Sequence, residues 1–320
     1  MRVLLVKTSS MGDVLHSLPA LTDAQHAISN IQFDWAVEEG FAQIPTWHSA
    51  VNQVIPVAIR RWRKNWFSAP IRAERTAFRD QLQATQYDAI IDAQGLLKSA
   101  FLVTRLAHGP KHGYDRQSIR EPLASFFYDH RYAVSKRQHA VERIRQLFSD
   151  SLGYARQTAQ GDYAIAHHFL QSSSEPATPY VIFLHSTTRD DKHWPEAHWR
   201  DLIALMAESG IHVKLPWGTE LEYQRALRLA DGFDFVEVLP KLTLAQVAEQ
   251  IANAKAVVSV DTGLSHLTAA LDKPNFTLFG PTDPGLIGGY GQYQNTIKSS
   301  DNTMANICAL EVYQQLASYL

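Results

Sequence analysis

The sequence predicts an α/β protein of two domains, each a parallel sheet covered by helices on both faces. Three observations carry this prediction. Short apolar runs rich in Val, Ile and Leu alternate with amphipathic stretches of helical period. Two of these runs, ending near residues 6 and 260, pass through a loop of small residues straight into a helix. The chain's 320 residues are long for a single core and comfortable for two.

The first element is a buried strand over 3–6. The loop Thr8-Ser9-Ser10-Met11-Gly12-Asp13 follows it and opens a helix through Leu15, Leu18 and Leu21. This loop lacks both the Gly-Lys-Ser/Thr ending of a phosphate loop and the three spaced glycines of a dinucleotide fingerprint. Asp13 falls where the helix dipole favours a carboxylate, so it is expected to stay ionised. Read from position alone, it is either a first-turn cap or a general base facing a ligand.

Further strands are expected at 33–37, 54–57 and 89–92, with helices over 68–83 and 96–106. Between them, residues 58–67 read AIRRWRKNWF. Arg60, Arg61, Arg63 and Lys64 are interleaved there with Trp62, Trp66 and Phe67. Such a cluster is a solvated face, a nucleic-acid surface, or a seat for an acidic glycolipid with its aromatics at a membrane interface. Lys98 and Arg120, near Gln94-Gly95, are candidates for further anion contacts.

The pattern weakens over 152–178. Ser172-Ser173-Ser174-Glu175-Pro176 reads as a linker, which places the domain boundary near 170. A strand over 180–184 then leads into HSTTRDDKHWP. Its Thr187 and Thr188 hydroxyls and Lys192 ammonium suit a phosphate, and Trp194-Pro195 opens the next helix. The strand over 212–215 ends in Pro216-Trp217-Gly218, where the Trp217 ring is placed to stack on a base. Glu222 is placed to accept ribose hydroxyls, as carboxylates do in nucleotide-binding folds.

After a strand over 235–238, the stretch AVVSVDTGLSH gives a strand, the turn Asp261-Thr262-Gly263 and a helix start. Unpaired N–H groups and the dipole make such a junction an anion site, and Gly263 permits close approach. Asp261 is a cap or a ligand contact, and His266 faces either the pocket or the core. Asp-Thr-Gly is also an aspartic-protease signature, but that chemistry needs two such loops or a dimer. One loop in 320 residues, followed directly by a helix, sets the reading aside. Three loops on the carboxyl edge of one parallel sheet, all suited to a nucleoside diphosphate, point to a nucleotide ligand.

Composition limits the remaining classes. A net charge of −2 and pI near 6.7 argue against general nucleic-acid binding. The charge is uneven: residues 1–170 hold 20 Lys+Arg against 15 Asp+Glu, whereas 171–320 hold 10 against 17. The basic first half is expected to meet an anionic partner. A lone Cys308 rules out an internal disulfide and suits a reducing compartment. His185, His193 and His198 have no ligand spacing, so no metal is expected. The N-terminal apolar run is too short for a signal peptide and is cut by Lys7, and no run is long enough to span a membrane.

SSMGDVLHSLPAL, GLLKS, HSTTRDDKHWP and VSVDTGLSHLTAALDKPNFTLFGPTDPGLIGGYG together resemble the lipopolysaccharide heptosyltransferases over essentially the whole chain. The resemblance implies a GT-B fold, two Rossmann-like domains with parallel sheets facing a central cleft. Residues 1–170 would form the acceptor domain and 171–302 the ADP-heptose domain. A C-terminal helix within 303–320 would pack back on the first domain. The implied reaction is inverting, metal-independent transfer of L-glycero-D-manno-heptose from ADP-heptose to the first Kdo of Kdo2-lipid A. The setting would be the cytoplasmic face of the inner membrane, with the enzyme a peripheral monomer needing no cofactor.

Carried over by position, Asp13 matches the general base and Lys192 the stabiliser of the ADP leaving group. Thr187, Thr188, Thr262 and Gly263 match the diphosphate cradle, Glu222 the ribose contact and Asp261 a heptose or diphosphate-side contact; Trp217 stays the base-stacking candidate. His266 lies in the same motif. Ser10, Arg60, Arg61, Arg63, Lys64, Lys98 and Arg120 fall on the acceptor side, where Kdo carboxylates and lipid A phosphates would arrive. Two other readings remain open: another sugar-nucleotide enzyme of this fold, such as an epimerase, and a non-catalytic nucleotide-binding protein.

Overall fold

The structure is a computed structural model that describes residues 1–170 and 178–320. It divides into two units, Met1–Ala164 and Ile165–Leu320. The division falls six residues before the expected boundary, and the expected linker at 172–176 lies outside the described residues.

The first unit holds β1 (Arg2–Val6), β2 (Gln32–Glu38), β3 (Val51–Val57), β4 (Ala89–Asp92), β5 (Lys111–Tyr114) and β6 (His130–Tyr132). They form one sheet in the order β3-β2-β1-β4-β5-β6, parallel throughout. The side chains Val3, Leu4, Leu5 and Val6 of β1 are wholly buried, as a central strand covered on both faces requires. Helices Leu18–Ala27 and Ala140–Leu152 pack together on the sheet. A buried ion pair joins them, Arg145 Nε to Asp23 Oδ2 at 2.7 Å.

The second unit holds β7 (Tyr180–Leu184), β8 (His212–Leu215), β9 (Val236–Val238), β10 (Val257–Val260), β11 (Asn275–Phe279) and β12 (Gln294–Lys298). Their order, β12-β11-β10-β7-β8-β9, is again parallel throughout. Counted within each unit, both sheets run 3-2-1-4-5-6, the order of the dinucleotide-binding fold. In each, the order in which strands are added across the sheet reverses between the first and fourth strands: β1 and β4 in one unit, β7 and β10 in the other. A crevice at the carboxyl ends of those two strands is where this fold binds ligands.

Eight of the twelve strands lie where the sequence places them. The last helix, Ala309–Leu316, buries Val312 and Leu316 in the core of the second unit and packs on helix Glu196–Leu205.

Candidate functional site

Both switch points carry a lysine–aspartate pair: at the first, both residues follow β1, and at the second the pair joins the loops after β7 and β10. In the first unit, Lys7 directly follows β1 and is buried beneath the loop that follows it. Its ammonium donates to Ala93 O at 3.1 Å, beyond β4, and lies 3.3 Å from Asp13 Oδ1. Asp13 sits in helix Met11–Leu15, and its Oδ2 accepts the Ser10 N–H at 2.9 Å and the Ser10 hydroxyl at 3.1 Å. The side chain remains 43% exposed, so a ligand can reach it. Partial burial pushes this carboxyl up, but the Lys7 ammonium and the Ser10 donors outweigh that and hold it below the usual carboxylate range. Asp13 is therefore ionised, as expected. Among the groups that lower it, the Lys7 ammonium comes first, ahead of the Ser10 donors.

Gln94, just past β4, fixes the Lys7–Asp13 loop. Its Oε1 accepts from Thr8 N at 2.8 Å, from Ser9 N at 3.0 Å and from the Thr8 hydroxyl at 3.2 Å. Beneath it, the fully buried Asp92 accepts from Gln94 N, Gly95 N, Ser99 Oγ and Thr104 Oγ1. Burial pushes the Asp92 carboxyl up, although these donors oppose the shift. Gly95 adopts φ +65°, where a Cβ would come within 3.1 Å of Ile119, so this turn is built for glycine.

The expected acceptor-side residues lie on the same carboxyl edge. Arg60, Arg61, Arg63 and Lys64 follow β3. Lys98 is exposed on helix Leu97–Leu102, which follows β4, and Arg120 is exposed in the segment after β5. The neighbouring Glu121 ties that segment to the β4 loop, its N–H donating to Gly95 O and its carboxylate accepting from Leu97 N.

The cluster at 58–67 is less uniform than its sequence suggests. Arg61 is held by Glu39 and Glu74, with N–O distances of 3.0 and 2.8 Å. Trp62 is buried and its indole donates to Glu74 at 2.8 Å, so of the three readings open for the cluster, the one that puts Trp62 at a membrane interface does not hold for this residue. Arg63 and Lys64 are exposed.

At the second switch point Lys192 Nζ meets Asp261 Oδ2 at 2.6 Å, with the side chains only 15% and 9% exposed. Lys192 ends the loop after β7, and Asp261 directly follows β10. The Thr187 hydroxyl donates to Asp261 O at 3.1 Å and locks the two loops together. Thr262 is the N-cap of helix Gly263–Ala270, whose first N–H groups open at this point. Thr188 is exposed, and His266 is half-buried one turn into the helix. A buried polar network seats this helix: Ser265 Oγ lies 2.9 Å from Thr277 Oγ1, and Asn275 bridges Ser259, Ser265 and Gln294. Thr187, Lys192, Asp261, Thr262 and Gly263 thus form one constellation.

Trp217 and Glu222 stand on the next strand's loop, and both are partly committed. The Trp217 indole donates to Leu239 O at 2.6 Å, and its ring lies 4.6 Å from that of Tyr223. Glu222 Oε2 accepts from Gly218 N and Thr219 N at 2.7 and 3.0 Å, closing a capping box with Thr219. Only its other oxygen is left for a ribose. Among the described residues no group of three or more His, Cys, Asp or Glu is placed to hold a metal ion.

Sequence reasoning missed Lys7, Gln94 and Asp92. The available signal was their position: each lies within two residues of the carboxyl end of a central strand, where a polar residue interrupting an apolar run has a task.

Two Rossmann-like units, each with a polar switch point, are the architecture of the GT-B fold. The chain belongs to glycosyltransferase family 9, the heptosyltransferases, whose family model matches residues 75–316. It is 67% identical over 316 residues to lipopolysaccharide heptosyltransferase 1 of Salmonella typhimurium, a match covering 99% of this chain and 100% of that protein. Among solved structures it is similar to E. coli heptosyltransferase WaaC with ADP, at 66% identity, complete coverage of both chains and a TM-score of 0.97. The same enzyme with ADP-2-deoxy-2-fluoro heptose matches at 64% identity over the whole of both chains, with a TM-score of 0.95.

Proposed function

We propose that the chain transfers L-glycero-D-manno-heptose from ADP-heptose to the first Kdo of Kdo2-lipid A, with inversion and without a metal. The observation that carries this reading is the Lys192–Asp261 pair at the second switch point, beside the open N-terminus of helix Gly263–Ala270. The Lys192 ammonium, once it turns from Asp261 to the ligand, and the helix N–H groups suit a diphosphate: the lysine is a point charge and the N–H groups are directed donors. Trp217 and the free oxygen of Glu222 complete the nucleoside side. The similarity to a protein solved with ADP and with an ADP-heptose analogue supports this donor.

In the reaction, an acceptor hydroxyl oxygen attacks the anomeric carbon as the bond from that carbon to the diphosphate oxygen breaks. The hydroxyl proton passes to Asp13, and the pair of electrons leaves with ADP, whose charge Lys192 neutralises. A carboxylate held below its ordinary pKa is a weak base, so it receives the proton late, once the sugar carries oxocarbenium character. Lys192 in this role does the work that a divalent cation does in other sugar-nucleotide enzymes. Arg60, Arg63, Lys64, Lys98 and Arg120 would meet the acceptor's carboxylates and phosphates. Arg61 would have to leave two carboxylates to join them.

Calorimetric titration with ADP and with UDP, both in EDTA, tests the donor. ADP binding that persists in EDTA and exceeds UDP binding is expected; UDP preference, or binding abolished by EDTA, would overturn the assignment.

A further inference from the structure

The first unit carries a surface outside both switch points. Helix Ala69–Gln83 sets Arg72, Arg75 and Arg79 at i, i+3 and i+7, which is one helical face. With Arg105, Trp66 and Phe101 they line a groove of about 410 Å³. The Arg75 guanidinium lies 3.5 Å from the Trp66 ring centre, and that of Arg105 lies 4.0 Å from the ring of Phe101. Among the described residues only one of these four arginines makes an ion pair, Arg79 with Asp80 at 3.6 Å, and both of those side chains are exposed.

Large apolar side chains stand out from the elements around this groove. Phe67, which follows the lining residue Trp66 in the chain, is 86% exposed. The turn Pro122–Phe127 rests on helix Leu97–Leu102, with the rings of Phe101 and Phe127 6.1 Å apart, and it exposes Leu123 and Phe126 by 61% and 63%. Cations stacked on rings beside protruding Phe and Leu match a bilayer interface, where charges meet headgroup phosphates and apolar tips reach the acyl boundary. A nucleic-acid backbone would use the arginines but not Leu123 or Phe126.

We propose that this face docks the enzyme on an anionic lipid bilayer. Arg72, Arg75, Arg79 and Arg105 lie against headgroup phosphates, and Phe67, Leu123 and Phe126 enter the interface. The proposal rests on the reading that the acceptor is carried by a lipid. It moves the membrane contact away from residues 58–64, where Trp62 is buried and Arg61 is neutralised.

The test is flotation of the full-length protein with phosphatidylcholine vesicles, with and without phosphatidylglycerol. Arg72→Glu/Arg75→Glu and Phe67→Ser/Phe126→Ser serve as variants, each checked for wild-type melting and ADP binding. Wild type is expected to float with the anionic vesicles only, and each double variant to bind them at least about tenfold more weakly. Transfer to Kdo2-lipid A in vesicles should fall in both variants, while transfer to a deacylated acceptor stays at the wild-type level. Equal vesicle binding by wild type and both variants, or an RNA oligonucleotide that displaces the vesicles, would overturn the proposal. Wild-type failure on the deacylated acceptor would instead overturn the transferase reading, because that assay does not involve the vesicle.

Discussion

Replacing Lys192 with Met removes one partner of an ion pair with an N–O distance of 2.6 Å and side chains 15% and 9% exposed. At an effective dielectric of about 20 the gross attraction of such a pair is roughly 6 kcal/mol. Most of it is offset by the cost of removing both charges from water, but a single replacement leaves Asp261 buried and unpaired. Breaking such a pair costs about 3 kcal/mol, which for a unit of this size lowers the melting temperature by roughly 6–12 °C. Asp261→Asn should destabilise similarly, whereas the double variant Lys192→Met/Asp261→Asn should return to within about 1 kcal/mol of wild type. ADP affinity should not follow that recovery. Loss of a charged donor to the diphosphate weakens binding by roughly 10- to 100-fold, and the double variant still lacks it. Thermal melts and ADP titrations on the four proteins complete the cycle. Single variants that melt with wild type, or a double variant that recovers full ADP affinity, would refute the reasoning.

Lys7→Met removes the charge that keeps Asp13 ionised, so the acid limb of the transfer rate should move to higher pH; an unchanged limb would show that Lys7 does not set the base. Because the folded pKa of Asp13 lies below its unfolded value, the stability linked to it is present above the ordinary carboxylate pKa and is lost as pH falls through the folded value. His185, buried at the end of β7, is pushed down to about 3 by burial and by the nearby Arg225. The unfolded chain then binds the extra proton below about pH 6.5, so stability falls as pH drops, by about 2 kcal/mol from this group at pH 5. Urea unfolding at pH 7.5 and pH 5 should show this loss in wild type and a smaller one in His185→Gln; equal losses would refute the assignment.

The central strands were legible because β1, β4, β7 and β10 are short apolar runs that enter a loop directly, and burial on both faces permits little else. Four strands were not. β5 and β6 read KHGY and HRY, and their lateral contacts are rings: His112 stacks on His130 at 4.7 Å and on Tyr132 at 5.9 Å. β11 alternates polar Asn275 and Thr277 with apolar residues because those two side chains join the network beneath helix Gly263–Ala270. β12, an edge strand, is polar at Gln294 and Asn295.

At the candidate site, residue types on loops singled out Thr187, Lys192 and Asp261, while Asp13 stood between cap and base until the family resemblance, and pairing could not be read from sequence. Lys192 and Asp261 are 69 positions apart, and Gln94 reaches Thr8 across 86. The reverse held at Glu222: Thr219 three residues earlier is a capping-box spacing, so the carboxylate's local duty was legible and was passed over for a ligand role. The cations at 60–64 likewise gave no sign that Glu39 and Glu74 neutralise Arg61.

The most direct test of the account is single-turnover transfer of heptose from ADP-heptose to Kdo2-lipid A by Asp13→Ala, with donor binding measured on the same preparation. The account predicts a rate at least about 100-fold below wild type, with ADP-heptose affinity within about twofold, because the lost group receives a proton and touches no part of the nucleotide. Transfer near the wild-type rate, or a loss of donor affinity as large as the loss of rate, would contradict Asp13 as the base.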